Sequence, residues 1–284
     1  MNARMPAVAG SFYPASAKEL NGELSRLFET TKWVATTNVA ALIVPHAGYI
    51  YSGEVAASAY AKLDRERQFK NIFIIGPSHQ KYFPGVSIYP KGSYMSPLGE
   101  VSINEETAGY LTQKNKFIYY DVEADIGEHC LEVQLPFLQY SLRKEFQIVP
   151  LIIGSDNPGL SKNLADALDP WFNDENLFII SSDFSHYPSA ANAVRFDNET
   201  ADAIISNDVE KLRTQCDRRK RAFPANTLTA LCGIAAVQTL LYLTKEKKDV
   251  SFEKILYRNS GDYLNGNKSK VVGYWAIAVS RNQN

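Results

Sequence analysis

Short apolar runs recur along the chain, and stretches with helical spacing separate them. Four of these runs have the length and β-branched content of buried strands: Ala40–Val44, Asn71–Ile75, Phe146–Gly154 and Asn176–Ser181. Two alternating segments near the end of the chain, Ser251–Ser260 and Lys270–Ser280, predict two further strands. Strands that alternate with helices indicate an α/β fold, in which a largely parallel sheet is covered by helices on both faces.

Helical spacing characterises most of the stretches between these runs. Ser16 and Glu19 have capping-box spacing, and Leu20, Leu24 and Leu27 follow on one helix face. Further helices are predicted at Glu54–Leu63, Ile103–Gln113, Leu131–Leu142, Leu160–Leu168 and Thr227–Leu243, with two more between Ala190 and Arg213. In Leu131–Leu142, Pro136 is either tolerated near the start of the helix or kinks it.

The remaining pattern concerns turns and domain organisation. Gly and Pro interrupt an alternating stretch between Gly85 and Asn104, which predicts a hairpin or a meander. No internal repeat, low-complexity segment or linker divides the sequence. We therefore expect a single domain over residues 1–284.

Composition and charge exclude several classes of protein. The chain has 284 residues, of which 45% are hydrophobic and 12% aromatic, and such a content excludes a disordered chain. Lys plus Arg number 30 and Asp plus Glu number 31, so charge gives no reason to expect nucleic acid or a membrane surface as a partner. Three cysteines do not describe a disulfide framework, and no apolar segment approaches the roughly 20 residues of a spanning helix. We expect a soluble, reduced protein of the cytoplasm.

Three of the four histidines lie at or shortly after the ends of predicted strands. These residues are His46, His79 and His186. Parallel neighbouring strands end along one edge of a sheet, and ligands of α/β proteins bind beyond that edge. A lone histidine is commonly a structural or surface residue, whereas three in equivalent positions favour one shared metal or catalytic site.

Two carboxylates and the fourth histidine are candidates for the same site. Asp183 precedes His186 by three residues, so one helical turn would place both side chains on one face. Capping of a helix explains Asp183 equally well. Glu128 and His129 precede a predicted helix, where the helix dipole favours carboxylates, so Glu128 has a structural and a functional interpretation. His129 is a candidate acid or base beside the site.

Cys232 lies inside the apolar helix predicted at Thr227–Leu243 or opens it. Taken alone, it is typical of a small buried core residue. Gly233 beside it permits the close approach of another backbone or of a ligand. Cys130 and Cys216 have no such context, and we interpret them as structural.

The order of several short motifs resembles a known family. The segments are GSFYP, PHAGYIYSG, GPSH, EHCLEVQLPFL, SSDFSHY and LCG, between Gly10 and Gly233, and GYWAIAV follows near the end of the chain. Each segment is common by itself, but the ordered set resembles the MEMO family, also called AmmeMemoRadiSam system protein B. The resemblance covers almost the whole chain. It implies the fold of class III extradiol dioxygenases, in which a mixed sheet lies between helical layers.

The resemblance also implies a metal site. Class III extradiol dioxygenases bind Fe(II) through two histidines and a carboxylate, and MEMO proteins have two histidines and a cysteine. Carried onto this chain, the implied metal ligands are His46, His79 and Cys232. His186 matches the acid/base histidine of the dioxygenases, with Asp183 beside it. Fe(II) is the metal that the resemblance favours, and Cu and Zn stay open because a thiolate softens the site.

Three functions are compatible with these expectations. The first is a dioxygenase-like oxidoreductase, in which His186 transfers a proton while His129 and Glu128 line the pocket. The second is a redox-metal binding or adaptor protein without turnover, and the third is a zinc hydrolase. The resemblance implies a small-molecule or peptide substrate, and radical SAM and AMMECR-type proteins as partners.

Overall fold

An eight-stranded sheet forms the centre of the structure. The structure is a computed structural model, and it describes residues 3–31, 33–36, 38–222, 229–263 and 266–282. The strands are β1 (Val39–Val44), β2 (Asn71–Pro77), β3 (Val86–Ile88), β4 (Ser93–Ser96), β5 (Gly99–Ser102), β6 (Ile118–Tyr119), β7 (Ile148–Ile153), β8 (Asn176–Ser181), β9 (Val250–Asn259) and β10 (Gly273–Arg281). Eight of them lie in the order β6-β3-β7-β2-β8-β1-β10-β9, while β4 and β5 pair with each other.

The predicted mixed, largely parallel sheet is confirmed. Parallel pairing joins β3 to β6, β7 to β2, β2 to β8 and β8 to β1. The pairs β3–β7, β1–β10 and β10–β9 are antiparallel. Every residue of β1, β7 and β8 is buried. Because successive side chains of a strand point to opposite faces, both faces of the sheet centre are covered.

Helices provide this cover. They are α1 (Ala17–Thr30), α2 (Tyr49–Tyr60), α3 (Glu105–Lys114), α4 (Val122–Asp125), α5 (Leu135–Ser141), α6 (Pro158–Leu168), α7 (Ala190–Ile205), α8 (Val209–Ala222) and α9 (Ile234–Thr244), with 3-10 turns at Glu132–Gln134 and Asp169–Trp171. Within the described residues, none of the helices combines the length and the apolar character that crossing a membrane requires.

Local signals in the sequence are realised at several helix ends. Ser16 caps α1, and its hydroxyl accepts the backbone N–H of Glu19 at 3.5 Å. The apolar face of α1 is buried, as its leucine spacing predicts. Pro136 lies in the first turn of α5, where its missing N–H leaves no bond unmade.

Of two further predictions, the hairpin between Gly85 and Asn104 is confirmed for part of that segment, and the start of the helix predicted from Thr227 is wrong. The stretch between Gly85 and Asn104 is divided, because β3 joins the central sheet while β4 and β5 form a separate hairpin. The helix predicted from Thr227 begins at Ile234, and Thr227 and Leu228 lie outside the described residues. Residues 229–233 bond instead to the loop after β8: Thr229 accepts the N–H of His186, and Cys232 donates its N–H to Asp183. These tertiary bonds override the helical pattern.

Candidate metal centre

The candidate site lies where three neighbouring parallel strands end. β2, β8 and β1 are adjacent, and Val44 at the end of β1 pairs with Ser181 at the end of β8. The structure brings His46, His79 and His186 to this edge, where all three line one cavity of about 820 Å³. The strand-end positions seen in the sequence therefore correspond to one place in the fold.

The fourth histidine lies in the same cavity. The ring of His129 is 4.6 Å from that of His79 and 5.6 Å from that of His46, measured between centroids. The rings of His46 and His79 are 5.1 Å apart. One nitrogen atom of each of these three rings lies within 4.8 Å of the other two. Nitrogen ligands about 2.0–2.1 Å from a single metal ion lie within roughly 4 Å of one another. The 4.8 Å limit on these donors is close to that spacing, which makes the three rings candidate ligands of one ion.

Glu128 holds His79 from behind. Its Oε1 lies 2.9 Å from Nδ1 of His79, and its Oε2 accepts the backbone N–H of the same residue at 2.6 Å. The backbone N–H groups of His129 and Cys130 also donate to Oε1. Because a carboxylate only accepts, Nδ1 of His79 bears a proton, and Nε2 of the neutral ring is free for a ligand. A carboxylate behind a histidine is the usual arrangement at metal-binding histidines.

Electrostatics keep Glu128 ionised and two of the rings neutral. Burial acts to raise the pKa of Glu128, but hydrogen bonds from His79 and the backbone outweigh it and place the pKa at about 2. For His79, burial acts to lower the pKa, and the bond to Glu128 raises it above its usual value. Burial and neighbouring rings lower the pKa of His46 and of His129. These two imidazoles are neutral near pH 7, as metal binding requires.

His46 sits deeper, and neutral groups hold its ring. The residue is 3% exposed, and its Nδ1 lies 2.9 Å from Oγ of Ser181. Its backbone N–H donates to Oδ1 of Asp183 at 2.8 Å, which secures the turn between β1 and α2. Sγ of Cys232 lies 3.2 Å from Nε2 of the ring. Two of the ligands that the sequence resemblance implied are therefore in direct contact.

Cys232 reaches the site through the segment that precedes α9. Gly233 makes the approach possible, because a Cβ atom there would lie 2.7 Å from the carbonyl oxygen of Ser181. The backbone N–H of Asp183 donates to Sγ of Cys232 at 3.0 Å. Burial raises the pKa of the Cys232 thiol in the metal-free protein. A bound metal would reverse this effect, because it would replace the proton on the sulfur atom and the proton would be released to solvent.

Cys232 and His129 are the two candidates for a third metal ligand beside His46 and His79. Among the described residues, two sets of three donors lie within 4.8 Å of one another: His46, His79 and His129, and His79, Glu128 and Cys130. Cys232 contacts His46 but belongs to neither set. His46 and His79 are thus shared by the set implied by the sequence and by the three-imidazole set.

The loop after β8 is not the helical turn considered for Asp183 and His186. Residues 182–185 have no regular structure, because the backbone N–H of Phe184 bonds to Gly273 at the start of β10. Nδ1 of His186 lies 3.0 Å from the carbonyl oxygen of Phe184, so Nε2 of the neutral ring is free. Burial raises the pKa of Asp183, although His186 acts to lower it. Asp183 and His186 together place two ionisable groups in the same cavity as the rings.

The N-terminal segment contributes residues that sequence reasoning missed. The ring of Phe12 packs edge-on against His129, with centroids 4.9 Å apart. Glu132 anchors this segment, because its carboxylate accepts the hydroxyl proton of Tyr13 at 2.8 Å and pairs with Arg4 at 3.0 Å. The GSFYP motif was the available signal, but its side chains include no usual metal ligand.

These features define a class of protein: an α/β fold with a histidine-rich candidate metal site at the carboxyl edge of its parallel strands. A family model described as Memo-like protein matches residues 4–278. The chain belongs to the Memo-like family. The MEMO1 family protein Ta0237 of Thermoplasma acidophilum is 36% identical over 274 residues, which cover 96% of this chain and 97% of that protein. A MEMO1 family protein of Methanosarcina mazei is 34% identical over 286 residues, covering 98% of this chain and 100% of that protein.

A solved structure supports the fold. The uncharacterized protein JW3007 from Escherichia coli K12 superposes with a TM-score of 0.51 at 12% sequence identity. The match covers 84% of this chain and 99% of that chain. At this identity the likeness shows a shared fold, and it carries no information about the site.

Proposed function

We propose that the protein is a non-haem, Fe(II)-dependent, dioxygenase-like oxidoreductase whose metal binds at the histidine cluster. The observation that supports it most is the arrangement of the rings. Nδ1 of His46, His79 and His186 each faces a protein oxygen atom, which leaves Nε2 of the neutral ring as the nitrogen available to a metal or a substrate. Histidines held in this way are typical of metal and acid/base sites.

His46 and His79 are the proposed imidazole ligands, and the thiolate of Cys232 is the proposed third. This set has one negative charge, like two histidines and a carboxylate. Fe(II) in such a site supplies open positions for a substrate and O₂. Cu and Zn are the alternative metals, because a thiolate ligand suits both.

The chain's own groups would manage protons and orientation. His186, oriented by the carbonyl group of Phe184, would take a proton from the substrate and return it later in the reaction. Asp183, whose pKa is raised by burial, would hold a proton nearby. Glu128 would keep His79 in the ligating orientation, and His129 would line the pocket between them.

The cavity mouth supports a second candidate function, in which the protein binds a redox metal and a partner without turnover. Tyr51, Tyr187 and Tyr263 line the cavity, and each has nearly half of its surface exposed. Exposed tyrosines provide contact area for a peptide or a protein partner. Proteins of the radical SAM and AMMECR types are the partners proposed from the family resemblance.

The three-imidazole set supports a third candidate. His46, His79 and His129 would bind zinc as three neutral ligands and leave one position for water. Zinc lowers the pKa of that water towards 7, which would give a hydrolase that needs no O₂.

An oxygen surrogate tests the leading proposal without knowledge of the substrate. The protein is reconstituted with Fe(II) in the absence of oxygen and exposed to nitric oxide, which binds Fe(II) at an open position. We expect a near-stoichiometric high-spin iron–nitrosyl EPR signal. His186→Ala should retain the signal, because His186 is proposed to act on the substrate and not as a ligand.

The alternatives give different results in the same experiment. Bound iron without a nitrosyl signal would contradict the dioxygenase-like proposal and favour metal binding without turnover. Stoichiometric zinc that Fe(II) does not displace, together with hydrolysis of model esters in the absence of O₂, would favour the hydrolase.

A further inference from the structure

A buried chain of hydrogen bonds lies behind His46. Oγ of Ser181 has three polar neighbours: the carbonyl oxygen of Cys130 at 2.6 Å, Nε2 of Gln134 at 3.0 Å and Nδ1 of His46 at 2.9 Å. Ser181, Cys130 and Gln134 are all completely buried. Water is therefore not available to change the partners of this hydroxyl group.

The chemistry of the hydroxyl group determines the direction of each bond. A serine hydroxyl has one proton to donate and two lone pairs that accept. The carbonyl oxygen of Cys130 only accepts, so the proton of Ser181 points towards it. The two other neighbours must then donate to Ser181, and one of them is Nδ1 of His46. The proton of the neutral His46 ring is thus on Nδ1.

The orientation of Gln134 agrees with this assignment. Its Nε2 also donates to the carbonyl oxygen of Pro45 at 2.9 Å, and its Oε1 accepts the hydroxyl proton of Tyr60 at 3.0 Å. The reversed amide would place Oε1 against the carbonyl oxygen of Pro45, which is a repulsive contact. Both N–H groups of Gln134 are therefore used, one on Pro45 and one on Ser181.

We propose that Ser181, held by Gln134 and by the carbonyl group of Cys130, is a positioning residue that fixes the tautomer of His46. The fixed tautomer directs the lone pair of Nε2 towards Sγ of Cys232, 3.2 Å away. In the metal-free protein this lone pair can accept the proton of the Cys232 thiol, whose other acceptor is the carbonyl oxygen of Asp183 at 3.4 Å. The role of Nε2 as a metal ligand rests on the proposed function, whereas the tautomer of His46 can be measured in the metal-free protein.

Rigid elements set this tautomer. Ser181 is the last residue of β8, and Gln134 ends the 3-10 turn Glu132–Gln134. Cys130 and Gln134 belong to the same EHCLEVQLPFL segment that supplies Glu128 to His79. One segment therefore orients both proposed imidazole ligands, through a hydroxyl group in one case and a carboxylate in the other.

Nitrogen-15 NMR of histidine-labelled, metal-free protein measures the tautomer directly. The chain has 4 histidines, and the ring signals of His46 are those lost in His46→Gln. We expect Nδ1 of His46 to be protonated and Nε2 to be unprotonated at neutral pH. Ser181→Ala should shift the population towards the Nε2–H tautomer, because Nδ1 then lacks its acceptor. Ser181→Thr retains the hydroxyl group and should restore the wild-type signals.

The ring of His186 is an internal control in each sample. Its Nδ1 is held by the carbonyl group of Phe184, so its signals should not change in the Ser181 variants. A proton on Nε2 of His46 in the wild-type protein would overturn the proposal, and so would an unchanged tautomer in Ser181→Ala. A protein that binds no metal would contradict the proposed function and leave the tautomer result intact.

Discussion

The two sides of the histidine cluster hold their rings in different ways. On one side, His79 is backed by the ionised carboxylate of Glu128, and its side chain is 33% exposed. On the other side, His46 is buried, and the hydroxyl group of Ser181 holds its ring without adding charge. The His79 ring is therefore bonded to a charged group and partly exposed to solvent. The His46 ring is bonded to a neutral group and buried.

In the proposed metal site, we expect the His79 side to determine how tightly a metal binds and the His46 side to determine which metal binds. A carboxylate behind a ligand makes the ring a stronger donor and offsets the charge of the metal, so we expect Glu128 to contribute strongly to affinity. The contact between His46 and Cys232 places a soft sulfur atom at the buried end. We expect this sulfur to influence which metal is bound, because thiolates favour Cu(I), Zn and Fe over harder cations.

The largest effect of a single substitution should come from loss of the sulfur ligand. Cys232→Ser should lower metal affinity by at least about 100-fold, because loss of a ligand's hydrogen-bond partner alone costs roughly 10–100-fold. In the Co(II)-substituted protein, the sulfur-to-metal charge-transfer band should disappear in Cys232→Ser and persist in His129→Ala. A band that survives Cys232→Ser would show that Cys232 is not the third ligand.

Glu128→Gln tests the charged side. Its amide has one oxygen atom that accepts and an NH2 group that only donates, so it cannot accept all four N–H groups that now surround the carboxylate. His79 then loses its charged partner and part of the contacts that orient it. We expect metal affinity to fall roughly 10–100-fold, measured by competition with a chelator. Glu123→Gln is the matched control, because Glu123 has a 76% exposed side chain and pairs with Lys81. Equal metal affinities of Glu128→Gln and Glu123→Gln would show that the carboxylate of Glu128 does not support metal binding.

Ser181→Ala tests the neutral side, again by competition with a chelator. It should cause the smallest loss of metal affinity of the three substitutions. A neutral hydrogen bond contributes about 1 kcal/mol, which corresponds to roughly a fivefold loss of affinity. If Ser181→Ala lowers affinity as much as Glu128→Gln, the contrast between a charged and a neutral side is wrong.

The sheet and its functional edge were predictable because their signals are local. β8 has the bounds predicted from its apolar run, Asn176–Ser181, and histidines after parallel strands converge whatever the intervening sequence. The bond between His46 and Ser181 was not predictable, because it joins residues 135 positions apart and depends on the register of β1 and β8. The same limit applies to the start of α9, where bonds to the loop after β8 replace helical ones.

His129 shows a different limit of sequence reasoning. It follows no strand, so the sequence made it a candidate acid or base beside the site but did not predict that its ring packs against those of His46 and His79. The residue reaches the cavity because its neighbour Glu128 makes two hydrogen bonds with His79 and accepts the backbone N–H groups of His129 and Cys130. A contact of this kind follows from tertiary structure and has no periodic signature.

The most direct test of the metal centre is the metal content of protein reconstituted with Fe(II) and purified without oxygen. Wild-type protein is compared with the double variant His46→Ala/His79→Ala, because the proposed set with Cys232 and the three-imidazole set both contain these two residues. We predict near-stoichiometric Fe(II) in the wild-type protein and none above background in the double variant, with both proteins folded by circular dichroism. Equal metal content in the two proteins would show that the metal binds elsewhere and would contradict the proposed centre.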